Sequence, residues 1–256
     1  MNHCENASEC SHNPCCNLVS NQAVQVVTEQ NSEQWYGERC LRITASMAYD
    51  VSHSSDSNVS RVLHSLLWAK PFTSVALQYG KDNEAKALLE FRNAMSKDVP
   101  GIVVSQTGFW VSLTTPKLGC SPDGTVLDPN SGDVFLIEIK CPYILRNCAP
   151  RDFDSKLSRQ QIHNFCLTKV DQKLTLKWQH RYYFQVQMQV AAMNIWQCYF
   201  IVWSPHRLWW ELINYDSDLY SAEIPKMLDF HKIYLVPEYF EMRVPQKLTP
   251  VKLEWN

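Results

Sequence analysis

The run "VFLIEIKCP" (134–142) constrains this chain more than any other stretch. Its apolar residues are nearly continuous, as in a strand buried on both faces, yet Glu138 and Lys140 sit inside it. A carboxylate on a buried strand is costly unless it is paired or binds a cation. Upstream, "LGCSPDGTVLD" (118–128) is a second β-rich run, and "DPNSGD" between the two is strong hairpin punctuation. Asp123 precedes Glu138 by fifteen residues, a separation that suits two short strands and a turn. The two carboxylates can therefore face each other, where they repel unless a divalent cation lies between them. Hard oxygen ligands select Mg²⁺, with Mn²⁺ as the alternative. Lys140 has the parity of Glu138 and emerges on the same face. A lysine there can orient a metal-bound water and offset charge on a phosphate. Asp, hairpin, Glu-x-Lys is thus a constellation for phosphodiester hydrolysis.

The bulk numbers set the frame. With 256 residues the chain makes one large domain or two small ones, and 45% hydrophobic residues are enough for a sizeable core. No run of about 18 apolar residues occurs, so no transmembrane helix and no membrane partner are expected. The N-terminus lacks a basic segment followed by an apolar one, which argues against secretion and for an intracellular protein. Most of the ten cysteines are then expected to be reduced, buried thiols. The net charge of −2 hides an asymmetry: residues 140–181 hold nine Lys/Arg against three Asp, a local +6, which leaves −8 elsewhere. A basic stripe beside an acidic cluster suits a metal-dependent enzyme acting on a polyanion, although a solvated loop and helix face would look the same.

Residues 1–30 form a polar, Cys-rich leader without periodicity, expected to be disordered. Its His3, Cys4, Cys10, His12, Cys15 and Cys16 are of zinc-binding type but fit no regular finger spacing. Helices are predicted over 32–52 (with a turn near Thr44–Ser46), 58–69 (ended by Pro71), 75–95 and 180–196, and a last one from 222 ends near Pro237. Strands are predicted within 101–113, 118–128, 134–142, 197–204 and 208–216. Helices, a β-meander, a helix, two strands and a helix make an α/β (α+β) domain with a central mixed β-sheet flanked by helices. The domain is placed at 31–245, with a tail at 246–256.

"SPDG" followed by "IEIKCP" resembles the signature of the PD-(D/E)XK nuclease superfamily, and more narrowly that of the lambda-type exonucleases of the YqaJ viral recombinase family. Four further stretches resemble that family in the same order: "WYGERCLRITAS" (35–46), "LQYGKDNEAKA" (77–87), "YYFQVQMQVAAM" (182–193) and "YFIVWSPHRLWWELINYD" (199–216). The resemblance runs from about residue 33 to about 240. It implies a restriction-endonuclease-like core. Asp123, Glu138 and the main-chain carbonyl of Ile139 become metal ligands, Glu84 a further acidic residue at the metal, and Lys140 the catalytic lysine. Arg39, Ser46 and Ser121 correspond to residues that cradle a terminal 5′-phosphate, joined by Gln185. Leu77 matches a leucine that wedges between the strands of a duplex end, and is either that wedge or a core leucine. Tyr182 and Gln189 share the helix face of Gln185 and are either DNA contacts or a polar rim, and Lys81 is either a phosphate contact or solvated.

The activity implied is Mg²⁺-dependent exonucleolytic hydrolysis of double-stranded DNA from the 5′ end, in recombination or repair. The implied partners are double-stranded DNA ends, a single-strand annealing protein, and further copies of the chain in a trimer. Two alternatives stand beside it: an endonuclease or nickase of the same fold, and a catalytically silent DNA-binding module of transposon or viral origin.

Overall fold

The predicted central strands form in the computed structural model, which describes residues 22–70 and 72–253. Among these residues the strands are β1 (Ala23–Val27), β2 (Ile43–Thr44), β3 (Val103–Ser105), β4 (Phe109–Ser112), β5 (Leu118–Cys120), β6 (Gly124–Leu127), β7 (Val134–Lys140), β8 (Leu167–Val170), β9 (Lys173–Leu176), β10 (Gln197–Ser204) and β11 (Arg207–Asn214). The α-helices are α1 (Glu33–Arg39), α2 (Ala48–Ser52), α3 (Val59–Leu63), α4 (Val75–Asp98), α5 (Phe153–Lys156), α6 (Arg159–Asn164), α7 (Arg181–Met193), α8 (Ser217–Phe230) and α9 (Val236–Glu241).

The strands form two mixed sheets and a separate β8–β9 hairpin, rather than one central sheet. The five-stranded sheet has the order β11-β10-β7-β6-β3, with β10 parallel to β7 and the other pairs antiparallel. The four-stranded sheet has the order β1-β4-β5-β2, with only β2 parallel to its neighbour. The chain passes between the sheets at 106–108, from β3 to β4, and returns at 121–123, from β5 to β6. The second crossing carries Asp123.

Two-residue periodicity sorts the five-stranded sheet into two faces. Ile137 and Ile139 of β7 join Ile201 and Trp203 of β10 beneath α4, which contributes Ala87, Phe91 and Met95 at helical spacing. Leu136, Cys198, Phe200 and Val202 face the other way, into the larger cluster shared with Phe184, Met188 and Met193 of α7. Ser74 starts α4 by accepting from the Leu77 amide, and Asn194 ends α7 in the left-handed conformation.

Several sequence expectations need correction. Residues 23–27 are not part of a disordered leader: they form β1, antiparallel to β4, and the zinc-type residues His3 to Cys16 lie outside the described residues. The predicted 32–52 helix stops at Arg39, because Leu41 takes a positive φ of 59° and Ile43–Thr44 pair with β5. Pro71 also lies outside the described residues. The last helix does not end near Pro237: α8, a π-helical turn at His231–Leu235 and α9 follow one another without a break, and the Ile233 carbonyl four residues before Pro237 accepts from Leu253 N–H at 3.3 Å instead. Six cysteines in the described residues are free thiols, and all but Cys40 are buried. No helix among the described residues is long and apolar enough to cross a membrane.

Candidate active site

Asp123 is locked to β7 at two points. Its N–H donates to Ile137 O at 2.9 Å, and its Oδ2 accepts from Ile139 N–H at 2.6 Å. Gly124 next to it lies so close to β3 that a Cβ there would come within 2.7 Å of Ser105 O. The Gly124–Ile137 register, continued by one residue, sets Asp123 opposite Glu138 as the hairpin spacing predicts.

Glu138 has the parity of Leu136 and so points toward α7, where it is 1% exposed. Its Oε1 accepts from Gln185 Nε2 at 2.6 Å and from Lys140 Nζ, and its Oε2 accepts from Gln189 Nε2 at 2.7 Å. The Lys140 ammonium also lies 4.7 Å above the Tyr182 ring. Glu84 comes from α4 on the opposite side of a cleft of about 370 Å³, whose lining includes Leu77, Lys81, Ile139, Lys140 and Tyr182.

The charges do not balance, since three carboxylates share the Lys140 ammonium and Lys81 acts on Glu84 alone. Burial, then repulsion from Glu138 and Glu84, pushes the Asp123 carboxyl well above the usual carboxylate range. Burial, then Glu138, pushes Glu84 up as well. Burial alone would lower Lys140, but the Glu138 and Asp123 carboxylates hold it above its ordinary value.

This donor set fits a divalent cation in charge and hardness. Asp123 Oδ1 and the Glu84 carboxylate accept no hydrogen bond from any described residue, so they keep free lone pairs. Among the described residues no three His, Cys, Asp or Glu side chains converge closely enough to hold an ion alone. Magnesium does not require that, because it is ordinarily held by one or two carboxylates and keeps several waters.

A second polar cluster includes Ser121, two residues upstream of Asp123. The Arg39 guanidinium stacks 4.0 Å over the Trp35 ring, with Phe109 at 5.9 Å. Arg39 Nη2 donates to Thr44 Oγ1 at 3.4 Å, and Thr44 Oγ1 lies 3.2 Å from Ser46 Oγ. Trp35 Nε1 donates to Ser121 Oγ at 3.0 Å. Arg39 forms no ion pair with a described carboxylate, and burial lowers its pKa to about 10. It is a desolvated cation beside two hydroxyls, an arrangement that suits an anion. Trp35 and Thr44 hold this cluster together; the sequence placed both in the family-like stretch 35–46 but gave neither a role in the site. The spacing of Trp35 and Arg39, one helical turn apart on α1, is the signal that could have found Trp35.

The structure therefore brings Arg39, Ser46 and Ser121 together, and separately Asp123, Glu138, Lys140 and Glu84. Gln185 turns its amide nitrogen to Glu138 rather than to Arg39, Ser46 or Ser121. Gln189 is 0% exposed, so it touches Glu138 and cannot reach a DNA strand. Tyr182 lies under Lys140. Leu77 is 49% exposed at the rim of the cleft, beside Lys81.

Comparison with known proteins agrees with this architecture. Two solved structures of an alkaline exonuclease from Laribacter hongkongensis superpose on the chain. One aligns with a TM-score of 0.56 at 21% identity, over 84% of this chain and 100% of the other. The second, a complex with dAMP, has a TM-score of 0.58 at 21% identity, over 84% and 98%. The SOX protein of KSHV in an RNA complex aligns with a TM-score of 0.50 at 13% identity, over 85% and 72%. At these identities the likeness shows a shared fold, the restriction-endonuclease-like PD-(D/E)XK fold. A search of curated proteins finds no match. A sequence profile of the YqaJ-like viral recombinase domain matches residues 34–194, more than half of the chain. The chain belongs to the family of YqaJ-like viral recombinase domains.

Proposed function

We propose that this chain is a metal-dependent deoxyribonuclease that degrades double-stranded DNA from its 5′ ends. One observation carries the proposal: the carboxylates of Asp123, Glu138 and Glu84, which Lys140 alone does not balance, adjoin a half-buried cation at Arg39 that has no ion-pair partner among the described residues. An exonuclease needs both, a centre that cuts and a pocket that holds an end. A protein of the same fold, solved twice, is described as an alkaline exonuclease, which supports the same reading.

Asp123, Glu138 and Glu84, with the Ile139 carbonyl, would hold one or two Mg²⁺ ions, Mn²⁺ serving equally in charge and hardness. Bound there, such an ion supplies a lowered water pKa and offsets charge on the phosphate in the transition state. The protein's own groups do the rest. Lys140 orients the attacking water and is itself steered by Glu138 and the Tyr182 ring. Gln185 and Gln189 hold Glu138 in place. Arg39, Ser46 and Ser121 bind the terminal 5′-phosphate and so set the register of the scissile bond. Leu77 and Lys81, at the cleft rim, meet the duplex end and its backbone. Cutting from the 5′ end leaves a 3′ single strand for an annealing partner, and a closed trimer of such chains would keep hold of the duplex between cuts.

The test is to incubate the protein with 5′-phosphorylated linear duplex and with closed circular duplex, in Mg²⁺ and in EDTA, beside Asp123→Ala. The expected result is loss of linear DNA alone, only in Mg²⁺, and not with the variant. Cutting of the circle would replace the 5′-end mechanism with an endonuclease. Binding without cutting in Mg²⁺ would replace it with a silent DNA-binding module.

A further inference from the structure

We infer that Gln30 is a positioning residue for Asp123, supplied from outside the segment that matches the family. The match begins at residue 34, and Gln30 lies before it, just after β1. Its Nε2 donates to Pro122 O at 3.1 Å and to Thr107 O at 2.9 Å. An amide nitrogen carries two hydrogens, and here each has its own carbonyl.

Both carbonyls lie in the passages between the two sheets, Thr107 in 106–108 and Pro122 in 121–123. The peptide group joining Pro122 to Asp123 is planar, so fixing its oxygen and its N–H fixes its orientation. Gln30 holds the oxygen, and Ile137 O takes the N–H of Asp123 at 2.9 Å. The Ile139 amide then fixes Asp123 Oδ2, which leaves Oδ1 aimed in one direction. Without Gln30 the peptide group keeps only the Ile137 contact and is free to tilt about it, carrying Oδ1 with it.

Gln30 can do this because its own backbone is anchored on both sides. Upstream, β1 pairs with β4, and the chain runs against Gly108 so tightly that a Cβ there would strike Val27 O and Thr28 O. Downstream, Asn31 takes a positive φ of 65° and Ser32 caps α1 by accepting from Trp35 N–H. The inference rests on the proposed role of Asp123 as a metal ligand.

The test compares wild type with Gln30→Met, which keeps the length and removes both donors. Mn²⁺ binding is measured by calorimetry without DNA, and kcat and KM are measured on 5′-phosphorylated duplex. Losing a hydrogen bond that orients a ligand typically costs roughly 10–100-fold in metal affinity or activity. Weaker Mn²⁺ binding and lower kcat in that range are expected, with KM unchanged because the Arg39 pocket is untouched. A purely structural role would instead lower the melting temperature and leave Mn²⁺ affinity and kcat of the folded fraction at wild-type values, which would overturn the inference. If Gln30→Met gives no folded protein, Gln30→Asn takes its place, since its shorter amide cannot bridge both carbonyls; the same outcomes apply. Wild type that binds no Mn²⁺ would overturn the metal site itself, whereas wild type that binds and cuts while the variant matches it would overturn the role of Gln30 alone.

Discussion

Replacing Asp123 by Asn should stabilise the metal-free protein. The side chains have nearly the same shape, and the Asn oxygen can still accept from Ile139 N–H, so the change removes charge and little else. Two effects favour the variant: relief from burying a carboxylate, and relief from repulsion by Glu138 and Glu84. Two oppose it: lost attraction to Lys140, and a hydrogen bond to Ile139 that weakens by about 1 kcal/mol on going from charged to neutral. Because the balance in the folded protein pushes the Asp123 carboxyl upward, the favourable effects win. A gain of about 1–2 kcal/mol lies within what single stabilising substitutions commonly give. For a domain of this size that is a rise of about 2–8 °C in Tm. The assay is calorimetric unfolding in EDTA near neutral pH, then in Mg²⁺. Metal at a hundred times its Kd would add about 2.7 kcal/mol to wild type and far less to the variant, so the order of stabilities should invert. The pH dependence has a definite sign. A carboxyl whose folded pKa is raised contributes stability that is complete below the ordinary carboxylate range and is lost as pH rises through the raised value. In EDTA, wild type should therefore fall behind Asp123→Asn as pH climbs from the acid range toward neutrality. A variant less stable than wild type in EDTA at neutral pH would refute the reasoning, because it would mean that Lys140 and the Ile139 amide outweigh the repulsion.

Arg39→Ala should erase any preference for 5′-phosphorylated over 5′-hydroxyl ends. Charge-assisted hydrogen bonds of about 1.5–3 kcal/mol correspond to roughly 10–100-fold in kcat/KM, and an unchanged preference would remove Arg39 from the end pocket. Gly119→Ala should cost about 1–3 kcal/mol in urea unfolding, because its Cβ would meet the Phe109 ring and sit 3.1 Å from Trp110 O; a neutral effect would mean that Phe109 moves freely. Gln189→Leu should cost about 1–3 kcal/mol by leaving Glu138 Oε2 buried without a donor, and it should slow cleavage without changing DNA binding in EDTA. Weaker DNA binding in that variant would return Gln189 to the DNA surface.

The parts of the fold that could be read from sequence are those whose pattern is local. β7 and β10 are long apolar runs, and α4 and α7 repeat their buried residues at helical spacing. What the sequence hid depends on partners far along the chain. β1 buries only Val27 and owes its conformation to pairing with β4, more than 80 residues away. β2 is two residues long and extended because β5 runs beside it. The β8–β9 hairpin turns at Asp171 and Gln172, both with positive φ, at 48° and 64°. Two such residues are the geometry of a type I′ turn, usually signalled by Asn-Gly, and Asp-Gln carries no such signal.

At the site, the types of residue were legible and their partners were not. Spacing put Asp123 opposite Glu138, and parity put Lys140 on the Glu138 face, because both follow from strand geometry alone. Resemblance assigned Gln185 to the 5′-phosphate site, and a shared helix face made Gln189 either a DNA contact or a polar rim, yet both donate to Glu138. The parity of β7 already held the answer. Glu138 shares a face with Leu136, and that face is the one α7 covers, so Glu138 is buried against α7. A buried carboxylate must find donors, and here they come from the same face of its own strand, Lys140, and from the helix packed over it, Gln185 and Gln189. Polar residues on such a helix are then claimed by the strand before any ligand can use them. The same logic reaches beyond the family match: the Pro122 carbonyl needs a donor, and the donor comes from Gln30. In a site built from buried charge, the residues that set its geometry are found by asking which neighbours each charged or polar group requires.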